Sequence, residues 1–455
     1  MGSGARKLYG RKVAYHIVSG ARREFTLPFG RGELAFTLPR GMNATLLKPN
    51  HLGPVRSPSR AVADALAAPL GCAPLREIAR RGQKVALVVT DTTRACPDYL
   101  LVPPILAELN AAGVPDSDIR VVVGIGMHRP TTKDEQYDKL GHEVCSRVEV
   151  LNPTPDEPES LADLGTTPNG VPITVSKLVA DADLVVATGI VEPHQYAGYS
   201  GGCKTVAIGA AGEPTIRATH SPQMLDNPGT RLARLEDNPF YEAITEAGLR
   251  AGLRFILNVV QDDDLRILAV RAGEPVTTHR TLAQFAASVY TRPIQHQFDI
   301  AIAGVGYPKD ANLYQASRAA SYLFFAPTPV VREGGAIVIA AACPEGVGTG
   351  VGEASFYRIM RSARRPSDIL AEARERGYPP GGQRAFVMAK VLESCVVYVA
   401  GAHDPEVVAH CKMIPVPSVE DALDDCASRM GSWERVLVVP HALQTLPVLT
   451  EVPSV

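Results

Sequence analysis

Several things are scarce or missing in this chain of 455 residues. Its eight cysteines are scattered and form no CxxC pair, so neither a zinc knuckle nor a thioredoxin-like redox site is indicated. Scattered reduced thiols are the expectation. No apolar run approaches the length of a bilayer span, and the basic start MGSGARKLYGRKVAY lacks the apolar centre of a signal peptide. A cytoplasmic protein is therefore expected. The formal charge of −2 argues against a general nucleic-acid or membrane-surface role, since both favour a basic balance. There is no GxxxxGK[ST] phosphate loop, no internal repeat and no coiled coil, and the lone Trp433 suggests no role.

What is present is an ordinary globular composition, 45% apolar and 21% charged, in a chain too long for one typical core. From about residue 84 to 290 apolar strands alternate with helical stretches, the pattern of a parallel sheet covered on both faces. Arg292-Pro293 marks a boundary, after which FDIAIAGVG, GGAIVIAAACPEG, SCVVYVAGA and RVLVVPHAL read as strands of a second α/β series. The expected architecture is two α/β domains with mainly parallel sheets and the active site in the cleft between them. Residues 1–292 form the first domain and 293–440 the second, with 441–455 returning to the first. Residues 1–50 read as a β-rich lead-in through YGRKVAYHIVSG, EFTLPFG and ELAFTLP, and SPSRAVADALAAPLG as a serine-capped helix with a glycine stop.

Three of the apolar runs end in polar tips. KVALVVTDTTR ends in Asp91, Thr93 and Arg94; DIRVVVGIGMHRP ends in His128; DADLVVATGIVEPH ends in His194. If these strands are parallel, all three tips lie on the edge where open α/β sheets bind ligands. The third tip continues into YAGYSGGCK, a glycine-rich turn carrying Ser200, Gly201, Gly202 and Lys204. His220 then precedes Ser221-Pro222, which reads as an N-cap followed by proline at the first helical position. Thr132 and Glu135 have capping-box spacing. By residue type alone, Lys204 also suits a phosphate-binding lysine, His220 a capping or core histidine, and His128 and His194 structural strand-end histidines.

DTTR at 91–94, GMHRPTT at 126–132, EPHQYAGYSGGCK at 192–204, the His-Ser pair at 220–221 and GYPKDANLYQASRA at 306–319 together resemble the nickel-pincer lactate racemase family. The resemblance implies a 2-hydroxy acid racemase or epimerase and an isomerase mechanism of proton-coupled hydride transfer. It implies a nickel-pincer nucleotide, the pyridinium-3-thioamide-5-thiocarboxylic acid mononucleotide, attached covalently through Lys204, with His220 as the protein ligand to nickel. It also implies His128 and His194 as the acid/base pair, Asp91, Thr93, Ser200, Gly201 and Gly202 around the cofactor, and Arg94, Tyr314, Gln315 and Arg318 around the substrate. Implied partners are a small 2-hydroxy acid and the proteins that build the cofactor, with no nucleic acid and no membrane.

The chemistry is coherent with those residue types. Removing a proton beside a carboxylate builds a costly dianion; removing hydride avoids it, if a base takes the hydroxyl proton at the same time. Nickel with imidazole and sulfur donors suits a square-planar site that needs only one protein ligand. Two positions depart from the family pattern: Cys203 where arginine is usual, and Arg318 where the lactate enzymes have lysine. They leave the substrate open among lactate, malate and an aldonic acid epimerised at C2. A nicotinamide-dependent oxidoreductase is a competing class, weakened because GIGMHRP puts histidine and proline where a dinucleotide fingerprint needs glycine and a helix start. A non-catalytic nickel-nucleotide binding protein is another, which would need no substrate clamp.

Overall fold

The computed structural model describes residues 23–50, 52–379, 381–430 and 433–450; the expected strand in YGRKVAYHIVSG lies outside them. Six strands form the first sheet, in the spatial order Ile267–Gly273, Leu253–Gln261, Leu184–Ile190, Val85–Thr90, Ile119–Gly124, Glu149–Leu151. All neighbours are parallel except the edge strand Ile267–Gly273, which returns antiparallel to Leu253–Gln261. The three strands with polar tips are thus adjacent, with Val85–Thr90 in the middle. Their side chains alternate between two cores. Val85, Leu87 and Val89 enter one apolar cluster, while Ala86 and Val88 enter the other. Both faces being covered explains why these strands read as unbroken apolar runs.

The second sheet is parallel throughout, in the order Ile414–Val416, Val396–Ala400, Val331–Ala340, Phe298–Gly304, Arg435–Val439, Asn43–Leu46. Its last strand comes from the start of the chain. The hairpin Glu24–Phe29 with Gly32–Thr37 also packs there, through Phe25, Leu27 and Phe36 against Ile300 and Val338. The lead-in therefore completes the second sheet and not the first, although it is expected in residues 1–292. Leu446–Leu449 pairs with Thr291–Ile294, the segment that joins the two series. A single apolar layer containing Val88, Ala187, Ala301, Ile337 and many helix residues runs between the two sheets. The cleft at the strand ends is therefore walled by both units.

Local signals behave as their chemistry requires. Ser57 caps the helix Pro58–Ala67; that helix ends at Ala68, and the glycine turn follows at Gly71. Thr132 and Glu135 form a complete capping box on Lys133–Leu140. Ser221 caps Pro222–Asp226 with proline in its first turn.

Candidate active site

The tip of the central strand is locked from below. Asp98 is fully buried, accepts from Thr188 Oγ1 at 2.5 Å and from Thr90 Oγ1 at 3.3 Å, and pairs with Lys139 Nζ at 3.0 Å. Lys139 also donates to the Arg94 carbonyl, which fixes the Asp91–Arg94 turn. Asp91 is itself buried, and Thr93 Oγ1 donates to its Oδ1 at 2.7 Å. His128 Nδ1 lies 2.7 Å from Asp91 Oδ2. Burial alone would raise the Asp91 carboxyl, but the hydrogen bonds from His128 and Thr93 outweigh it and hold the group below its usual range. An ionised carboxylate only accepts, so His128 carries a proton on Nδ1, and the neutral ring has its lone pair on Nε2.

His194 has the opposite arrangement. The chain folds back after it, with Pro193–His194 pairing against Gly198–Tyr199. Two backbone N–H groups, of Tyr196 at 3.3 Å and Ala197 at 3.2 Å, point at His194 Nδ1. Neutral His194 therefore carries its proton on Nε2. Desolvation and the nearby Lys204 and Arg94 push its pKa well below the usual value.

The glycine turn brings Lys204 into the same cleft. Ser200 Oγ donates to the Ile190 carbonyl at 2.7 Å and accepts from Glu192 N, so its hydroxyl is spent on the turn. Gly201 and Gly202 both have positive φ, and a Cβ on Gly202 would meet the His279 ring at 2.7 Å. Asn258 Oδ1 accepts from Gly202 N, and His279 Nε2 donates to the Ser200 carbonyl. Lys204 starts a short helix and makes no ion pair among the described residues. Desolvation, helped by Arg94, lowers its pKa to about 7. Arg94 is held by Glu192 Oε1 at 3.1 Å.

His220 closes the helix Glu213–Thr219. Its Nδ1 donates to the Ile216 carbonyl at 2.9 Å, which leaves an unprotonated Nε2. Desolvation and Lys204 lower its pKa to about 4. Tyr196 stands edge-on to both histidines, its ring centroid 5.8 Å from His194 and 5.7 Å from His220.

The second unit supplies the far wall. Asn312 caps the helix Leu313–Ala316, which breaks at Ser317 and resumes as Arg318–Phe324. Across that break Arg318 still donates to Gln315 Oε1 at 3.3 Å, and also to the Tyr322 hydroxyl at 3.0 Å. Contact between the walls runs through Ser321 to Gln195 and through the Tyr378 hydroxyl to the His220 carbonyl.

Two family descriptions match this chain: the lactate racemase N-terminal domain over residues 29–233 and the lactate racemase C-terminal domain over residues 294–446. The lactate racemase of Lactiplantibacillus plantarum is 30% identical over 392 residues, which is 85% of this chain and 90% of that protein. The chain belongs to the lactate racemase family. The lactate racemase of Thermoanaerobacterium thermosaccharolyticum is 29% identical over 92% of this chain and 98% of that one. The solved apoprotein from the same organism superposes with a TM-score of 0.81, covering 94% of this chain and all of the other. A Thermotoga maritima protein at 19% identity and a TM-score of 0.63 shares the fold.

The residues of this family member fit a tethered nickel nucleotide. Among the described residues no group of three or more His, Cys, Asp or Glu side chains is placed to hold a metal ion. His220 Nε2 is a buried, unprotonated ring nitrogen, and a nickel ion held there would take its other ligands from the group that carries it. Lys204, with a pKa near 7, is substantially neutral at physiological pH, as acylation of its amine requires. The Cys203 side chain is buried against Gly248, and burial pushes its thiol up to about 12, so it packs inward as an inert group.

Sequence reading missed Glu192, Tyr196, Asn258, His279 and Arg384, the last a buried side chain that reaches Gln195 and Ser321. Glu192 and Tyr196 sit inside EPHQY and were open to notice. Asn258, His279 and Arg384 lie on elements with no motif, and only folding brings them to the site.

Proposed function

We propose that this protein is a lactate-type racemase, an isomerase that inverts C2 of a short 2-hydroxy acid. The observation that carries the reading is the opposite hydrogen bonding at Nδ1 of His128, which faces the Asp91 carboxylate, and of His194, which faces two backbone N–H groups, beside a lysine whose pKa is lowered to about 7. Lys204 is the proposed covalent anchor of a nickel-pincer nucleotide and His220 its protein ligand to nickel. Asp91, Thr93, Ser200, Gly201 and Gly202 shape the cofactor's bed, the last three by holding the turn. When bound, the cofactor supplies the electrophile that accepts hydride from C2.

The chain's own residues do the remaining work. His128 Nε2 takes the hydroxyl proton of one enantiomer, and Asp91 stabilises the imidazolium that results. His194 hydrogen-bonds through Nε2–H to the substrate oxygen on the opposite face; to give up a proton there as an acid, its ring first takes a second proton on Nδ1. For His194 to accept a proton there, its ring has to release the two N–H groups at Nδ1. Arg318, Gln315 and Tyr314 bind the substrate carboxylate, with Arg94 held ready by Glu192. No helix among the described residues is long and apolar enough to cross a membrane. A cytoplasmic location and dependence on cofactor-building proteins complete the proposal.

The test is chiral chromatography of D- and L-lactate incubated with protein made alongside those cofactor-building proteins. Interconversion with a lysine-linked adduct and one nickel is expected. A loaded protein that inverts no 2-hydroxy acid would return it to the class of nickel-nucleotide binders.

A further inference from the structure

Arg384 lies on the helix Gln383–Ser394 of the second unit and is 9% exposed. No carboxylate among the described residues pairs with it. Its Nη1 donates to Ser321 Oγ at 3.1 Å and reaches Gln195 Oε1 at 3.5 Å, its Nε has no hydrogen-bond partner, and its guanidinium lies 5.5 Å from the centre of the Tyr314 ring. Arg318 is in the same condition: its partners are Gln315 and Tyr322, both neutral, and its Nε is also unsatisfied. The two are linked, since the Ser321 hydroxyl that receives Arg384 donates to the Arg318 carbonyl at 3.0 Å. Glu192, an acid near Arg318, is already held by Arg94. Buried guanidiniums without acids are costly.

Both guanidiniums act on Tyr196. Burial raises its hydroxyl to about 12, while Arg384 and Arg318 pull the other way. The Tyr196 ring stands edge-on to His194 and His220, so Tyr196 connects the two arginines to the proposed reaction centre. One substrate carboxylate occupies one arginine. The second cation calls for a second anionic group on the same small molecule, and a guanidinium fork suits a carboxylate.

We infer that Arg384 is a specificity-determining residue and that the preferred substrate is a 2-hydroxydicarboxylic acid, its C1 carboxylate on Arg318 and its distal carboxylate on Arg384. This rests on the racemase reading above and narrows its substrate class. The holoenzyme should be assayed with lactate, glycerate, malate and 2-hydroxyglutarate, glycerate serving as a neutral control for side-chain size. At least one diacid is expected to exceed lactate and glycerate in kcat/KM by about tenfold or more. Arg384→Gln should lower kcat/KM for that diacid about ten- to a hundredfold, mainly through KM, with a much smaller loss for lactate. A wild-type preference for lactate or glycerate, or an equal loss on all four substrates, overturns the inference. If the holoenzyme inverts none of them, the racemase reading fails instead, and calorimetry still decides the pocket. Tighter binding of malate than lactate, weakened in Arg384→Gln, upholds it, and equal binding rejects it.

Discussion

His128 Nδ1 sits 2.7 Å from Asp91 Oδ2, and that contact joins the tips of two neighbouring parallel strands. The carboxylate fixes which ring nitrogen is free. Asp91→Asn keeps the shape but allows the amide to donate to Nδ1, which turns Nε2 into an N–H. Turnover is expected to fall by about a hundredfold or more, with the lysine adduct and nickel retained. Mass spectrometry of the intact variant beside its turnover number checks this; loss of the adduct would mean that Asp91 acts chiefly through the cofactor's bed and not through His128.

Lys204 has its pKa lowered to about 7 because ionisation is opposed by desolvation and by Arg94. Its amine is protonated below that pH and free above it. In protein made without the cofactor, labelling of Lys204 by an acylating reagent should rise with a midpoint near pH 7, about three units below that of surface lysines. A midpoint at the surface value would show that the amine is not preset for attachment. Lys204→Ala should carry no covalent adduct while remaining folded.

His220→Ala should lose nickel and activity and keep the organic adduct, because the tether and the metal ligand are different residues. Metal analysis together with intact mass separates the two. Full nickel content in the variant would remove His220 from the coordination sphere.

Gly202→Ala should prevent cofactor loading with the strand order intact. Its φ of +57° is one that alanine adopts at a cost, and the new Cβ would meet His279 at 2.7 Å. His279→Ala in the same chain relieves the clash but not the backbone strain, so partial recovery of adduct is expected. No recovery would mean that backbone conformation alone sets the turn.

The sequence was most legible where one local rule decides an element. Thr132 with Glu135 and Ser221 with Pro222 specify helix starts within four residues, and both form as read. The adjacent strands ending at Thr90, Gly124 and Ile190 were legible because burial on both faces leaves continuous apolar runs. The strand Asn43–Leu46 was not: which sheet a short edge strand joins depends on Arg435–Val439, nearly four hundred residues away. Arg384 was illegible for a similar reason. Charge on a helix normally means a solvated face, and only the packing of Gln383–Ser394 against Arg318–Phe324 turns this one inward.

The last prediction concerns the histidine pair. Enantiomers have equal free energy, so any variant must show equal kcat/KM in the two directions; a one-sided loss of kcat/KM cannot occur at a single active site. His128→Asn and His194→Asn should therefore each slow D-to-L and L-to-D conversion to the same extent, by about a hundred- to ten-thousandfold. Substrate deuterated at C2 should turn over more slowly and keep its deuterium in the product, because hydride leaves and returns without meeting water. Rapid loss of deuterium to solvent would mean abstraction of a proton from carbon. In that case His128 and His194 would be carbon bases, and the assignment of their protons to the substrate hydroxyl would be wrong.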